Sequence, residues 1–183
     1  MLNKLVGLGL LIGLLGSPAF AAPATTQKVT QSVTIAATAD KVWGIVQNFG
    51  DLGWVPVVKG TTATDGNAPG SVRTLDLGGP KLIEKLEKYD AAGTRYVYDI
   101  TDDPANVKVL PVTGYRSSIT VRASKRDPKS TIVTWTGSFK RGDLADPPAA
   151  GLDDATAVKA VTGVYQAGLG NLKKLAEGQP PQQ

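Results

Sequence analysis

The feature that most constrains this 183-residue chain is a stretch near its C terminus, from about Asp153 to Glu177. Val158, Val161, Tyr165, Leu169, Leu172 and Leu175 recur there three or four residues apart, which places them on one face of an α-helix. Among them lie Gly163, Gly168 and Gly170, and each interior glycine weakens a helix by about 1 kcal/mol relative to alanine. Such a helix persists only by packing its apolar face against another element. The strand-like segments between residues 57 and 142 are the available partner. The pattern therefore predicts one long helix lying across a curved antiparallel sheet. Gly163, Ala167 and Gly168 either leave a void for a ligand or allow close helix-to-sheet approach.

The other end of the chain reads as an address rather than as structure. Lys4 supplies a positive start, Leu5 to Leu15 an apolar core, and Ala19-Phe20-Ala21 a small-x-small cleavage site. The apolar run falls short of the roughly 20 residues that a membrane span needs. Residues 1–21 are thus expected to be a signal peptide that exports the protein to the periplasm. A flexible leader at 22–28, a single domain at 29–178 and a flexible tail at 179–183 follow, with no membrane association after cleavage.

Composition removes several kinds of chemistry. There is no cysteine and no histidine, so thiol redox work, disulfides and Ser-His or Cys-His catalysis are excluded. No metal site and no cofactor are expected. Gly78-Gly79 lacks the lysine and hydroxyl residue of a phosphate loop, and no dinucleotide fingerprint is present. The net charge of +4 is mild and spread along the chain, which does not suit a nucleic-acid partner. Asp102-Asp103 and Asp153-Asp154 read as turn and cap residues, and the Lys81, Lys85, Lys88 series as a solvated face.

Between the ends, alternating apolar and polar residues predict strands at 29–36, 57–64, 71–77, 81–89, 94–101, 115–124 and 131–141. Thr38 caps a short helix through Asn48, with Asp40 in its first turn. A second short turn of helix is expected at Leu52 to Pro56, and an irregular loop from Asp102 to Val112. If Leu77 pairs with Pro80 across the Gly78-Gly79 turn, Arg73 falls opposite Glu84.

Several strings then resemble a known family. They are Lys41-Val42-Trp43, Phe49-Gly50-Asp51-Leu52 with Trp54-Val55-Pro56, Gly70-Ser71-Val72-Arg73-Thr74-Leu75 and Glu84-Lys85-Leu86. Leu110-Pro111-Val112 with Tyr115, Thr134-Trp135 with Phe139, and Gly168-Leu169 with Leu172 extend the set. Together with the order of elements, they resemble the START-like, polyketide cyclase-like (SRPBCC, helix-grip) superfamily. Within it they are similar to an exported branch of MxaD-type periplasmic accessory proteins of methanol oxidation. The resemblance implies an α+β fold: a curved seven-stranded antiparallel sheet on a long C-terminal helix, two short helices after strand 1, and a ligand cavity between helix and sheet. It also implies entry near Gly78-Gly79-Pro80 and the 103–112 stretch. For the MxaD-type branch it implies a non-enzymatic accessory that assists methanol dehydrogenase, a quinoprotein, with its cytochrome c acceptor.

The candidate ligand-binding residues are Arg73, Glu84, Tyr96, Tyr98, Tyr115 and Trp135. The charged pair could orient a polar ligand group or could simply hold the register of the sheet, and the rings suit a pocket or a core equally. Leu52, Trp54 and Pro56 are candidates for partner binding, to a periplasmic dehydrogenase or c-type cytochrome, or for a local plug. Two alternatives stand beside the accessory role. One is a carrier of a small apolar ligand. The other is a cyclase- or isomerase-like enzyme using Glu84 with Tyr98 or Tyr115, which requires a Glu84 not neutralised by Arg73.

Overall fold

The computed structural model describes residues Pro23 to Gly178; the segment read as a signal peptide and the tail after Gly178 lie outside the described residues. The elements run β1 (Gln27–Ile35), α1 (Ala39–Val46), β2 (Gly60–Ala63), β3 (Val72–Asp76), β4 (Lys81–Asp90) and β5 (Arg95–Ile100). They continue with α2 (Asn106–Val109), β6 (Val112–Ala123), β7 (Thr131–Arg141) and α3 (Asp154–Ala176). All seven strands form one antiparallel sheet in the order β1-β7-β6-β5-β4-β3-β2, and α3 packs on it chiefly against β1 and β7.

This is the α+β helix-grip arrangement, with one correction to its sheet. The expected curved sheet is instead open, a linear order that ends on β1 at one side and β2 at the other. Closure would require the two edge strands to exchange hydrogen bonds. β2 has only four residues, three of them exposed, and it joins the sheet through β3 alone.

Two short helices were expected after strand 1, and one forms there. Only α1 follows β1; Leu52 to Pro56 forms no helix. Val55 N–H donates to Leu52 O and Val58 N–H to Val55 O, two separate turns that Gly53 and Pro56 keep from continuing. The second short helix is α2, inside the stretch read as an irregular loop. Its Asn106 is buried, accepting from Ile83 N at 3.0 Å and donating to Thr101 O at 2.8 Å, so it ties the loop to β4. β1 also begins two residues earlier than its alternation indicated, because Gln27 and Lys28 continue the pairing with Phe139 and Ser138.

The helix ends follow local chemistry. Asp153 caps α3 by accepting from Thr156 N at 2.8 Å, while Lys173 and Lys174 occupy its last turn. Val161, Tyr165, Leu169 and Leu172 are all buried. At roughly 1.5–3 kcal/mol for each buried side chain, they outweigh three glycines at about 1 kcal/mol each. Gly168 allows close approach: a Cβ there would lie 2.9 Å from a Trp135 ring carbon and 3.2 Å from one of Trp54. Gly163 and Ala167 are exposed and frame no void.

Candidate functional site

The β3–β4 turn positions the charged pair. Gly78 and Gly79 adopt φ of 85° and 136°, which only glycine takes readily, and Asp76 Oδ1 accepts from Gly78 N at 2.8 Å. Leu77 N–H then donates to Pro80 O, and the register sets Arg73 opposite Glu84. Both side chains point into the core; Arg73 Nε donates to Glu84 Oε2 at 2.6 Å, and side-chain exposures are 0% and 4%. Arg73 Nη1 also donates to Phe49 O at 2.9 Å, and the guanidinium lies 4.2 Å from the Phe49 ring centre and 4.9 Å from that of Tyr98.

Burial pushes the Glu84 carboxyl above its ordinary range, and Arg73 pulls it back only in part. Burial acts to lower the Arg73 pKa, but Glu84 and the neighbouring tyrosines outweigh it and hold it above its ordinary value. The 2.6 Å spacing is that of a charge-assisted bond, guanidinium to carboxylate. Arg73 Nη2 and Tyr96 Oη complete no hydrogen bond of normal geometry. Arg73 nevertheless acts on the Tyr96 hydroxyl, whose pKa burial pushes up to about 12.

Beside this pair runs a chain of buried polar groups. Trp135 Nε1–H points at Tyr98 Oη, 3.0 Å away, and Ser117 Oγ, 2.9 Å away. Ser117 Oγ lies 2.9 Å from Tyr165 Oη and 2.9 Å from Thr136 O, and Tyr165 Oη lies 2.6 Å from Tyr115 Oη. The Trp135 and Tyr165 rings stack at 4.3 Å. Burial raises the pKa of Tyr98, Tyr115 and Tyr165 well above that of a free phenol, so all three stay protonated at neutral pH.

Between α3 and the sheet lies a cavity of about 110 Å³. Leu75, Leu82, Val161 and Val164 make much of its wall apolar, and Glu84, Tyr98, Tyr115, Trp135 and Tyr165 also line it. Val57, Leu77, Val109 and Leu110 also line it, and Val57 is 46% exposed, which marks the side facing solvent. A broader depression of about 540 Å³ on the outer face of the sheet contains Lys85, Glu87, Asp99 and Arg116. Those charges are already paired with one another, Lys85 with Glu87 at 2.9 Å and Arg116 with Asp99 at 2.6 Å. The depression is a solvated ionic surface.

The structure thus brings Glu84, Tyr98, Tyr115 and Trp135 to one cavity. Arg73 stands behind Glu84, and Tyr96 packs between Trp43, Phe49 and Tyr98, away from the cavity wall. Leu52 and Trp54 are buried, and Trp54 packs on Trp135 at 5.2 Å. Of the two readings of this group, docking patch or local plug, the burial of Leu52 and Trp54 fits the plug, and Pro56 alone of the three is half-buried. Asp103 and Asp153 serve as turn and cap, accepting from Ala105 N and Thr156 N. Among the described residues no cluster suited to a metal is present, and no helix is long and apolar enough to cross a membrane.

Sequence reading assigned Tyr165 to the helix core and gave Ser117 no role. The available signal was a small polar residue on the buried face of β6 between Tyr115 and Ile119, facing Gly137 on β7. Gly137 makes room: a Cβ there would overlap the Tyr165 hydroxyl.

The family model described as polyketide cyclase / dehydrase and lipid transport matches residues 26–177. Among solved structures, XoxI from Bacillus cereus is similar at 28% identity and a TM-score of 0.67, over 81% of this chain and 94% of that one. A protein from Thermobifida fusca is 26% identical with a TM-score of 0.65, over 85% and 97% of the two chains. Norcoclaurine synthase from Thalictrum flavum, in complex with dopamine and hydroxybenzaldehyde, shares the fold at 15% identity and a TM-score of 0.63, over 95% and 99%. No curated protein matches the sequence significantly.

Proposed function

This chain belongs to the polyketide cyclase / dehydrase and lipid transport family, and on that premise we propose that it binds a small apolar ligand in the cavity between α3 and the sheet. The observation that carries the reading is the cavity itself, about 110 Å³ and walled mainly by Leu and Val side chains. A cavity of about 150 Å³ with an apolar lining holds benzene; this one is smaller, which limits the ligand to a single ring or a short chain at most. The mouth near Val57, Leu77 and Leu110 gives it a route in.

The other two readings lose their supports. An accessory role beside a quinoprotein dehydrogenase and its cytochrome c is implied by the MxaD-type resemblance, but Leu52 and Trp54, two of the three side chains offered as its docking patch, are buried. An enzyme using Glu84 as a base needs a carboxylate free of a cation, and Arg73 Nε sits 2.6 Å from it. Carriage or sensing of the ligand, rather than its conversion, is the reading that uses the cavity as built.

Calorimetric titration with toluene tests this proposal. Saturable one-to-one binding is expected, lost in Val161→Trp, whose larger ring would occupy the cavity. Absence of binding to the folded protein, or binding unaffected by that substitution, contradicts it. We further propose that the protein works in the periplasm, on the strength of the Lys4, Leu5–Leu15 and Ala19-Phe20-Ala21 pattern. Intact-mass measurement on the periplasmic fraction is expected to find a chain starting at Ala22; a full-length chain confined to the cytoplasm would refute export.

A further inference from the structure

The ligand chemistry follows from counting hydrogen-bond donors and acceptors at the cavity. Thr136 O is a carbonyl and can only accept, so Ser117 donates its single proton there. Tyr165 then donates to Ser117, and Tyr115 to Tyr165. This is the assignment that leaves none of the three hydroxyl protons unpaired, and the reverse direction would orphan that of Tyr115. Trp135 Nε1–H is the donor to both Ser117 and Tyr98, so Tyr98 Oη acts as an acceptor there. The Tyr98 proton itself has no acceptor among the described residues, and Tyr98 lines the cavity.

Glu84 presents the complementary half. Its Oε2 takes the Arg73 bond, so Oε1 is the oxygen left for the cavity that Glu84 lines. Glu84 pairs with Ile100 and Leu86 with Tyr98 across β4 and β5, so Glu84 and Tyr98 are diagonal neighbours on the buried face. Diagonal positions lie within reach of long side chains. One unspent acceptor and one unspent donor therefore belong to side chains that line the same small apolar space. Arg73 balances the Glu84 charge, so an ionic ligand would bring a lone charge into an apolar cavity at high cost.

We infer that the ligand is a neutral, mainly apolar molecule carrying one hydroxyl, an alcohol or a phenol, which donates to Glu84 Oε1 and accepts from Tyr98 Oη–H. The inference rests on the cavity being the ligand site. A hydroxyl satisfies both groups at once, whereas a hydrocarbon satisfies neither and a carbonyl can only accept.

The test compares phenol, toluene, benzoate and benzylammonium, four single-ring probes, by calorimetric titration against the native chain, Tyr98→Phe and Glu84→Gln. Phenol is expected to bind at least roughly tenfold more tightly than toluene, the ratio that one net hydrogen bond supplies, and both ions more weakly than phenol. Tyr98→Phe keeps the ring and leaves Trp135 its bond to Ser117, so the fold survives. In that variant the ratio of phenol to toluene affinity is expected to collapse toward one. Glu84→Gln takes the carboxylate from Arg73, so it is read only after urea denaturation shows it folded, and there it should lower phenol affinity relative to toluene. Equal binding of toluene and phenol, or tightest binding of either ion, overturns the hydroxyl assignment and leaves the cavity reading intact. Binding of none of the probes overturns both.

Discussion

Arg73→Ala is expected to cost about 3–5 kcal/mol of folding stability, the usual loss when one partner of a buried ion pair is removed. The substitution strips the cation from Glu84, whose side chain is 4% exposed, and opens space beside the Phe49 and Tyr98 rings that the guanidinium covers. It also frees Phe49 O, which accepts from Nη1 at 2.9 Å. Against a typical domain stability of about 5–15 kcal/mol, such a loss brings the chain close to unfolding. Replacing both partners, as Arg73→Met with Glu84→Leu, is expected to be far milder, because no buried charge is then left alone. Urea denaturation of the three proteins checks this. A loss below about 1 kcal/mol in Arg73→Ala would show that the pair carries little of the fold.

Gly137→Val is expected to cost about 3 kcal/mol, from overpacking together with orphaned hydroxyls. A side chain at this position meets the Tyr165 hydroxyl directly, and the Tyr115 ring carbon Cε2 would lie 3.4 Å away. Tyr165 must then withdraw from Ser117 and Tyr115, which breaks the polar chain at its centre. Gly170→Ala is the matched control. Its Cβ would meet nothing within 4 Å, and helix propensity alone should raise stability by up to about 1 kcal/mol. Thermal unfolding compares the two directly; a native midpoint for Gly137→Val would refute the close approach of Tyr165 to β7.

The parts of this site that were legible in the sequence are those set by local chemistry. The Gly78-Gly79-Pro80 turn fixes a short hairpin, and counting outward from Leu77 and Pro80 places Arg73 across from Glu84, as the register shows. The period of α3 likewise identified Val161, Tyr165, Leu169 and Leu172 as its inward face. What was not legible depends on contacts between distant segments. Tyr165 reaches Tyr115 and Ser117 across 50 and 48 residues of chain, and no periodicity links them. The turn residues around Trp54 left a docking patch and a local plug both open; only the distant Gly168, which lets the Trp54 ring lie against α3, decides between them. The curved sheet was read from the long helix and from the family resemblance; alternation, which marks strands, says nothing about whether the two edges meet, and the sheet is open.

One measurement tests the central claim most directly: mapping chemical shifts in the native protein during titration with toluene. The account predicts saturating shifts at Leu75, Leu82, Val161 and the Trp135 indole, all on the cavity wall. Ile132, which is 39% exposed and does not line the cavity, should remain unmoved. Shifts centred on the exposed apolar residues Ile132 or Leu144, or no saturable shifts, would contradict the claim that the space between α3 and the sheet is the binding site.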